Sequence, residues 1–564
     1  MVSARSVRKK FNDPERSVPP APGTHPASPR KAPVSDTDPA APSNPAAPSN
    51  PAAPSDPAAL PASGPPGLRM SPARGRWVVT ATVLGSGLAA LDATVVGIAI
   101  PAIGRDFHAG VTSLQWVVDA YTLTLAGLLL LGGTLGDSYG RRRMYTIGTV
   151  WFALASLLCG LAPNVAVLIA ARALQGVGGA LLTPGSLAIL QASFAKDDRS
   201  AAIGAWSGLG GIATAAGPFL GGYLIGAVSW RLVFFINLPL AVAAVVITAR
   251  HVPETRSPGA VPKLDVKGAV CISGALAGIT YGLIAASADG WGSVSVLVPL
   301  AVGVLLGGLF ILAEAREAQP MLPLGVFASR QFSAANAVTF VVYAALGGLL
   351  FLVPTVLEVA HGYSPIEAGS ALLPVTVIML LLSSRSGALA ARIGPRLQMT
   401  AGPIVIAVSL FLFTRLGTSG NYLTAVLPAV VVFGLGVAIN VAPLTATALA
   451  AAPADHAGVA AAVNNDVARA AGLIAVAVLP ALAGITGDSY LHPALLAHGF
   501  KTAAIIAAVF CAAGGVLAGL TIRNPARASR PAPGPAEVSC GLDAPPLRSL
   551  EPVRPTETGE INDR

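Results

Sequence analysis

The chain has 564 residues, 53% of them hydrophobic and only 11% charged, with a mean hydropathy of +0.67. A soluble globular surface takes about 25% charged residues, so this chain cannot wet a water-facing exterior and reads as an integral membrane protein. The net charge of +9 forms no basic, aromatic-interleaved patch of the kind that grips nucleic acid, and is read instead as an orientation signal in membrane loops.

Residues 1–76 read as a disordered tail on the cytoplasmic side. The hexapeptides PAAPSN, PAAPSN and PAAPSD begin at 39, 45 and 51, with almost nothing to bury and polyproline character. No apolar core of a signal peptide occurs before residue 77. Met70 precedes SPARGRWVV, which raises translation from that methionine as an alternative start that an intact mass would decide.

From 77 to 522 the chain is a run of apolar segments of roughly 20 residues, the length that crosses a bilayer. They lie at 77–100, 113–136, 144–162, 165–190, 200–223, 232–249, 268–288, 293–313, 333–357, 366–391, 399–414, 422–447, 457–485 and 502–522. Most contain no Asp, Glu, Lys or Arg; 457–485 is interrupted by NNDVAR. With the amino terminus inside, thirteen loop Lys/Arg are cytoplasmic against four outside (Arg105, Arg231, Arg415 and Lys501). Both termini are therefore expected in the cytoplasm, and residues 523–564 form a second disordered tail.

Gly133 and Gly140, followed by Arg142, recur as Gly387 and Gly394, followed by Arg396. If these positions correspond, six spans repeat in a second six. The divisions are then 77–250 for the first six-helix bundle, 251–332 for a linker with an inserted pair (spans 7 and 8), and 333–522 for the second bundle. Two such halves are the plan of an alternating-access transporter, unless the spacing is a coincidence of a glycine-rich chain.

The loop after span 2 reads GGTLGDSYGRRR. Gly133 and Gly140 allow close approach and a tight turn, and Asp137 can cap the next helix or pair with Arg141 and Arg142. A basic loop that merely fixes orientation is the plainer alternative. The segment resembles the signature loop of the major facilitator superfamily, with Ser138 where that pattern usually has Arg. Span 4 carries Arg172, Gln175, Gly176, Gly178 and Gly179, similar to the superfamily's R-x-x-Q-G-x-G-g motif. The resemblance implies that Arg172 faces a central cavity and takes part in proton coupling; a snorkelling or paired structural arginine is the alternative. In span 5, Gly217, Pro218, Gly221 and Gly222 resemble the GP-x-x-GG motif that marks exporters, although small residues four apart also serve ordinary helix packing. The segments LDATVVGIAIP, LQWVVDAYTL, SWRLVFFINLPL and PADHAGVAAAVNNDVARAAG resemble the fourteen-helix drug:proton antiporter family, with Gly97 where Asn is usual.

Three in-span carboxylates are candidates for proton or cation binding. Asp92 lies about 12 Å from the outer end of span 1 at 1.5 Å per residue, and Asp119 lies nearer the outer surface. Asp466 stands three residues before Arg469, so an intrahelical pair would also explain it. Glu358 and Glu367 read as solvated charges at outer helix ends, and Arg385 as a snorkelling residue. Nothing suits catalysis. No GxxxxGK[ST] loop is present, which points away from ATP. The seven histidines are scattered, and cysteines 159, 271, 511 and 540 suggest neither disulfide nor metal set.

The expectation is an all-α, fourteen-helix major facilitator fold in the cell membrane, monomeric, without metal, cofactor or nucleic-acid partner. The resemblance implies a transporter that exports hydrophobic or cationic small molecules in exchange for protons, with the proton gradient as energy source. An uptake symporter or a ligand-binding sensor are the rival readings, and substrate, stoichiometry and a sodium alternative stay open.

Overall fold

The computed structural model describes residues 68–70, 73–256, 264–317, 320–416, 421–452, 457–487, 489 and 492–524. Those residues build α1 (Ala73–Phe107), α2 (Val111–Tyr139), α3 (Arg141–Gly160), α4 (Val165–Ser193), α5 (Lys196–Ala227), α6 (Leu232–Phe235), α7 (Asn237–His251), α8 (Val266–Asp289) and α9 (Val294–Glu314). They continue with α10 (Arg330–Val359), α11 (Pro365–Ala371), α12 (Leu373–Ile393), α13 (Pro395–Phe413), α14 (Leu427–Ala450), α15 (Ala457–Leu482) and α16 (Pro493–Thr521). Among the described residues, the one β contact is an isolated bridge between Leu68 and Phe194. Among the described residues, thirteen spans are long and apolar enough to cross a membrane. The expected span at 144–162 coincides with α3, whose first turn of three arginines keeps it outside that set.

Two spans are broken helices. Pro239 lacks an N–H and its ring opposes the carbonyl four residues back, so the sixth span divides at Ile236 into α6 and α7. Pro374 acts in the same way on the tenth, dividing it at Leu372 into α11 and α12. The amino-terminal tail ends earlier than expected. The Leu68 amide donates to the Ser193 carbonyl at 2.7 Å, the Met70 amide donates to Asp198 Oδ2 at 2.9 Å, and α1 has begun by Ala73. The hexapeptide repeats and the carboxy-terminal tail lie outside the described residues.

Helices α1–α7 pack on one another, as do α10–α16, while α8 and α9 form a hairpin against α2 and α15. Residues Val294, Leu297, Val298, Val304 and Leu305 of α9 are exposed. An apolar face of that extent is covered only by lipid or by another apolar surface.

The glycine spacing noticed in the sequence marks one joint built twice. Gly140 joins α2 to α3 at φ 110°, and Gly394 joins α12 to α13 at φ 87°, a backbone region that side chains with a Cβ rarely enter. Each joint is fastened by a residue three positions past the last helix of its own half. Glu254, after α7, accepts the Arg142 and Arg143 amides at 3.1 and 3.2 Å. Asn524, after α16, accepts the Arg396 amide at 3.0 Å. The arginine two positions past each glycine then donates to a late carbonyl of that last helix: Arg142 to Ala249 at 3.0 Å and Arg396 to Gly519 at 2.8 Å. Cations are favourable at a helix carboxyl end. Eight residues beyond each joint a second glycine, Gly148 or Gly402, lies against the neighbouring helix, α4 or α14.

Gly140→Ala is expected to cost about 1–3 kcal/mol through its forced left-handed backbone, whereas Gly136→Ala, which meets open space, should be neutral. Thermal unfolding of the detergent-solubilised variants separates the two; equal melting temperatures would remove the constraint at Gly140.

Candidate functional site

Arg172 stands two turns into α4, where an arginine must be either hydrated or fully partnered. Its side chain is 1% exposed and that of Asp92, on α1, is 0% exposed. Arg172 Nη1 donates to Asp92 Oδ2 at 2.5 Å, Nη1 also to Gln175 Oε1 at 2.6 Å, and Nε to the Val117 carbonyl of α2 at 3.0 Å. The other carboxylate oxygen of Asp92 accepts from Gln175 Nε2 at 2.8 Å and from Asn237 Nδ2 at 3.1 Å. Ser156 Oγ of α3 accepts from the same two amides. The Arg172 guanidinium lies 4.3 Å from the centroid of the Tyr121 ring, a cation–π distance.

One acid, one cation, two amides and a hydroxyl from α1, α3, α4 and α7 thus form one buried hydrogen-bonded cluster. The cavity-facing position that the resemblance implies for Arg172 is not what is found: the side chain is sealed inside the first half. Asn237 and Ser156 were not singled out in the sequence. Asn237 had a signal, an amide two residues before Pro239 in an apolar span, and the helix break at Ile236 brings it to Asp92.

Asp119 is placed differently. It lies on α2 one turn past Gln115, whose Nε2 donates to the carbonyls of Val476 and Ala477 on α15 at 2.6 and 3.1 Å. Asp119 is fully buried, and neither carboxylate oxygen has a hydrogen-bond partner. Asp466 and Arg469 do not form the intrahelical pair considered above: Asp466 Oδ1 and Arg469 Nε are buried without partners. The helix turns Asn464, two residues before, into α10, where its amide donates to Asn336 and Thr339.

The loop motif is resolved into separate tasks. Asp137 pairs with Arg141 at 2.7 Å, Arg142 turns to α7, and Gly133 lies beside Pro184 of α4. Gly176 and Gly179 face Tyr121 and Leu125 of α2, so the helix 4 glycines serve close packing. Gly217 and Gly221 of α5 lie against Thr94 and Val95 of α1, and Gly222 lies against α11, where a Cβ would come within 2.7 Å of the Ile366 Cα. Gly369 of α11 in turn faces the backbone of Pro218. The exporter-like motif therefore sits where the two halves touch.

Glu358 corrects the sequence reading. It is buried rather than solvated, and its Oε2 accepts from Arg105 Nη2 at 3.1 Å, joining α10 to α1. Glu367 is exposed and closes a capping box with Ser364. Arg385 is exposed and donates to the Leu381 carbonyl.

Removing Arg172 alone would leave a buried carboxylate without its counter-charge, at a cost of about 3–5 kcal/mol. Arg172→Gln is expected to lower the unfolding temperature sharply, and addition of Asp92→Asn to recover much of it. A double variant no more stable than the single one would show that the two charges are not a pair in solution.

The sequence model of the Major Facilitator Superfamily matches residues 82–477. A tetracenomycin C resistance and export protein of Streptomyces glaucescens is 38% identical over 433 residues, covering 76% of this chain and 80% of its own length. A puromycin resistance protein of Streptomyces alboniger is 36% identical over 434 residues, with 76% and 85% covered. A multidrug efflux pump of Mycolicibacterium smegmatis is 33% identical over 418 residues, with 74% and 82% covered. The fold matches an inward-facing, unoccupied bacterial homologue of the human lysosomal transporter Spinster, with a TM-score of 0.57 at 17% identity over 80% of this chain and 97% of that one. It also matches a peptide transporter in complex with sulfate, with a TM-score of 0.57 at 14% identity over 81% and 98%. The chain belongs to the Major Facilitator Superfamily: it is a multi-pass membrane transporter and not an enzyme.

Proposed function

We propose that this transporter exports hydrophobic or cationic drugs, antibiotics or metabolites across the cell membrane in exchange for protons. The observation that carries the reading is that relatives matched over about three quarters of the chain are named for antibiotic resistance, drug efflux or export. The GPFLGG string of α5 at the contact between the halves agrees with it. Helices α1–α7 would rock against α10–α16 around a cavity between them, with both termini in the cytoplasm. The joined ends of α1 and α10 would then be the outer ends.

The two buried acids of the first half suit different roles. Asp92 accepts from three side chains, so its charge is balanced in place and ties α1 to α4 and α7. Asp119 has no donor, and a carboxyl group so placed is cheapest to bury with its proton on. In this reading Asp119 holds the carried proton, and Asp92 with Arg172 transmits its arrival and loss to the helix packing.

The test is a bulk flux assay in inside-out vesicles with an acidic interior. Lipophilic cations and antibiotics are added one at a time, and collapse of the pH gradient is followed. Drug-dependent collapse that disappears in Asp119→Asn is expected, with the variant still inserted and folded. Undiminished collapse by Asp119→Asn would remove it as the proton carrier. A sodium gradient that is dissipated where the proton gradient is not would replace the coupling ion.

A further inference from the structure

Four ion pairs occur among the described residues, and three of them lie within the first half: Asp92–Arg172, Asp106–Arg231 and Asp137–Arg141. The fourth, Arg105–Glu358, crosses from α1 to α10 and so bridges the two halves. The other seam contacts at this end carry no charge: the Gln115 amide on the carbonyls of α15, and Gly222 and Gly369 against backbone. The two partners are unequally placed. The Arg105 side chain is 52% exposed, whereas that of Glu358 is 1% exposed, and Glu358 Oε1 is buried with no hydrogen-bond partner.

Opening this end separates a buried carboxylate from its sole counter-charge, or draws it into water. Breaking such a pair by removing one charge is costly while the other stays buried. A proton delivered to the unpartnered Oε1 removes that obstacle, because it neutralises the carboxylate and leaves a hydrogen bond from Arg105 in place of the ion pair. The exposed Arg105 head marks where water at this end approaches the pair.

We propose that Glu358 is a proton-binding gate residue on the release side, latched by Arg105, and that a proton arriving from that side unlatches the seam and opens the cavity to it. The proton adds to Oε1 and leaves by the same route when the latch re-forms, so none is carried across by this site. The proposal rests on the alternating-access export reading and adds to it a gating proton separate from the carried one.

Other ionisable groups on the packed elements do not replace Arg105. Asp106 is engaged by Trp230 and Arg231, and Glu367 by Ser364. His108 follows α1, and His361 and Tyr363 follow α10, where His361 contacts the Val356 carbonyl. On α16, which packs on α10, His498 and Lys501 are exposed. Asp466 and Arg469 of α15 lie ten and seven residues before Val476, which receives Gln115 at this end. None of these is within ion-pair distance of Glu358.

The experiment uses the full-length transporter in lipid nanodiscs, with spin labels on the exposed turns that follow α1 and α10 and no drug added. In the wild type, the inter-label distance should lengthen from neutral to mildly acidic pH. Glu358→Gln should be open at neutral pH, with an open-to-closed ratio raised about tenfold, between the effects of exposed and buried pairs, and should no longer respond to acid. Should Glu358→Gln not fold, Arg105→Gln, altered at an exposed head, is expected to lose the closed population in the same way. The charge-reversed pair R105E/E358R should restore it. A wild-type distance indifferent to pH, or a Glu358→Gln protein that still follows pH, overturns the proposal. Because no drug is present, that failure is distinct from a failure of drug-driven proton flux, which would sink the export reading instead.

Discussion

A guanidinium buried among transmembrane helices is tolerable only if every donor finds an acceptor and its charge an opposite one. Arg172 draws a carboxylate from α1, an amide oxygen from its own helix and a backbone carbonyl from α2, and the carboxylate in turn accepts from an amide of α7. The rest of the first half follows from it. α1, α3, α4 and α7 must present these groups at one point, and the proline break at Ile236 is what allows α7 to supply Asn237. The glycines of α4 then let α2 and α3 approach closely enough to exclude water from the pair.

The second half has the same joints but, among the described residues, no such ion pair. Its joint at Gly394 is fastened by Asn524 as the one at Gly140 is by Glu254. Where the first half buries an ion pair, the second has amides: Asn464 against Asn336 and Thr339, and an Asn440 side chain buried without a partner. The two halves share these parts, a glycine turn tied to the last helix of its own half. Among the described residues, the ion pairs occur in the first half and at the seam. At that seam, backbone-to-backbone packing through Gly222 and Gly369 supplies a contact with no specific charge, and Arg105–Glu358 supplies the charge.

Much of this was legible from local properties. Span length and hydropathy are sums over neighbouring residues, so the helices lie close to where the apolar runs end, apart from the two proline breaks and the start of α1 at Ala73. The repeat was legible too, because a joint that needs a left-handed residue keeps a glycine at a fixed distance from an arginine in both copies. Gly217, Pro218, Gly221 and Gly222 stood out as a string for the same reason: only residues without bulk let backbones meet there. Asp92, Arg172 and Gln175 stood out because polar groups in apolar spans are costly.

The sequence by itself thus determined the membrane class, the order and approximate bounds of the helices, the internal duplication and the polar residues that had to find partners. Only the tertiary structure decided which partners those were. Arg172 turned into the bundle rather than toward a cavity, and Asp466 stayed apart from an arginine three residues away. Glu358, which read as a solvated rim charge, paired with a residue 253 positions distant. The physical reason is that pairing depends on the rotation and crossing of packed helices. A turn of 100° about one axis moves a charge from lipid to seam without any change in the hydropathy that the sequence displays.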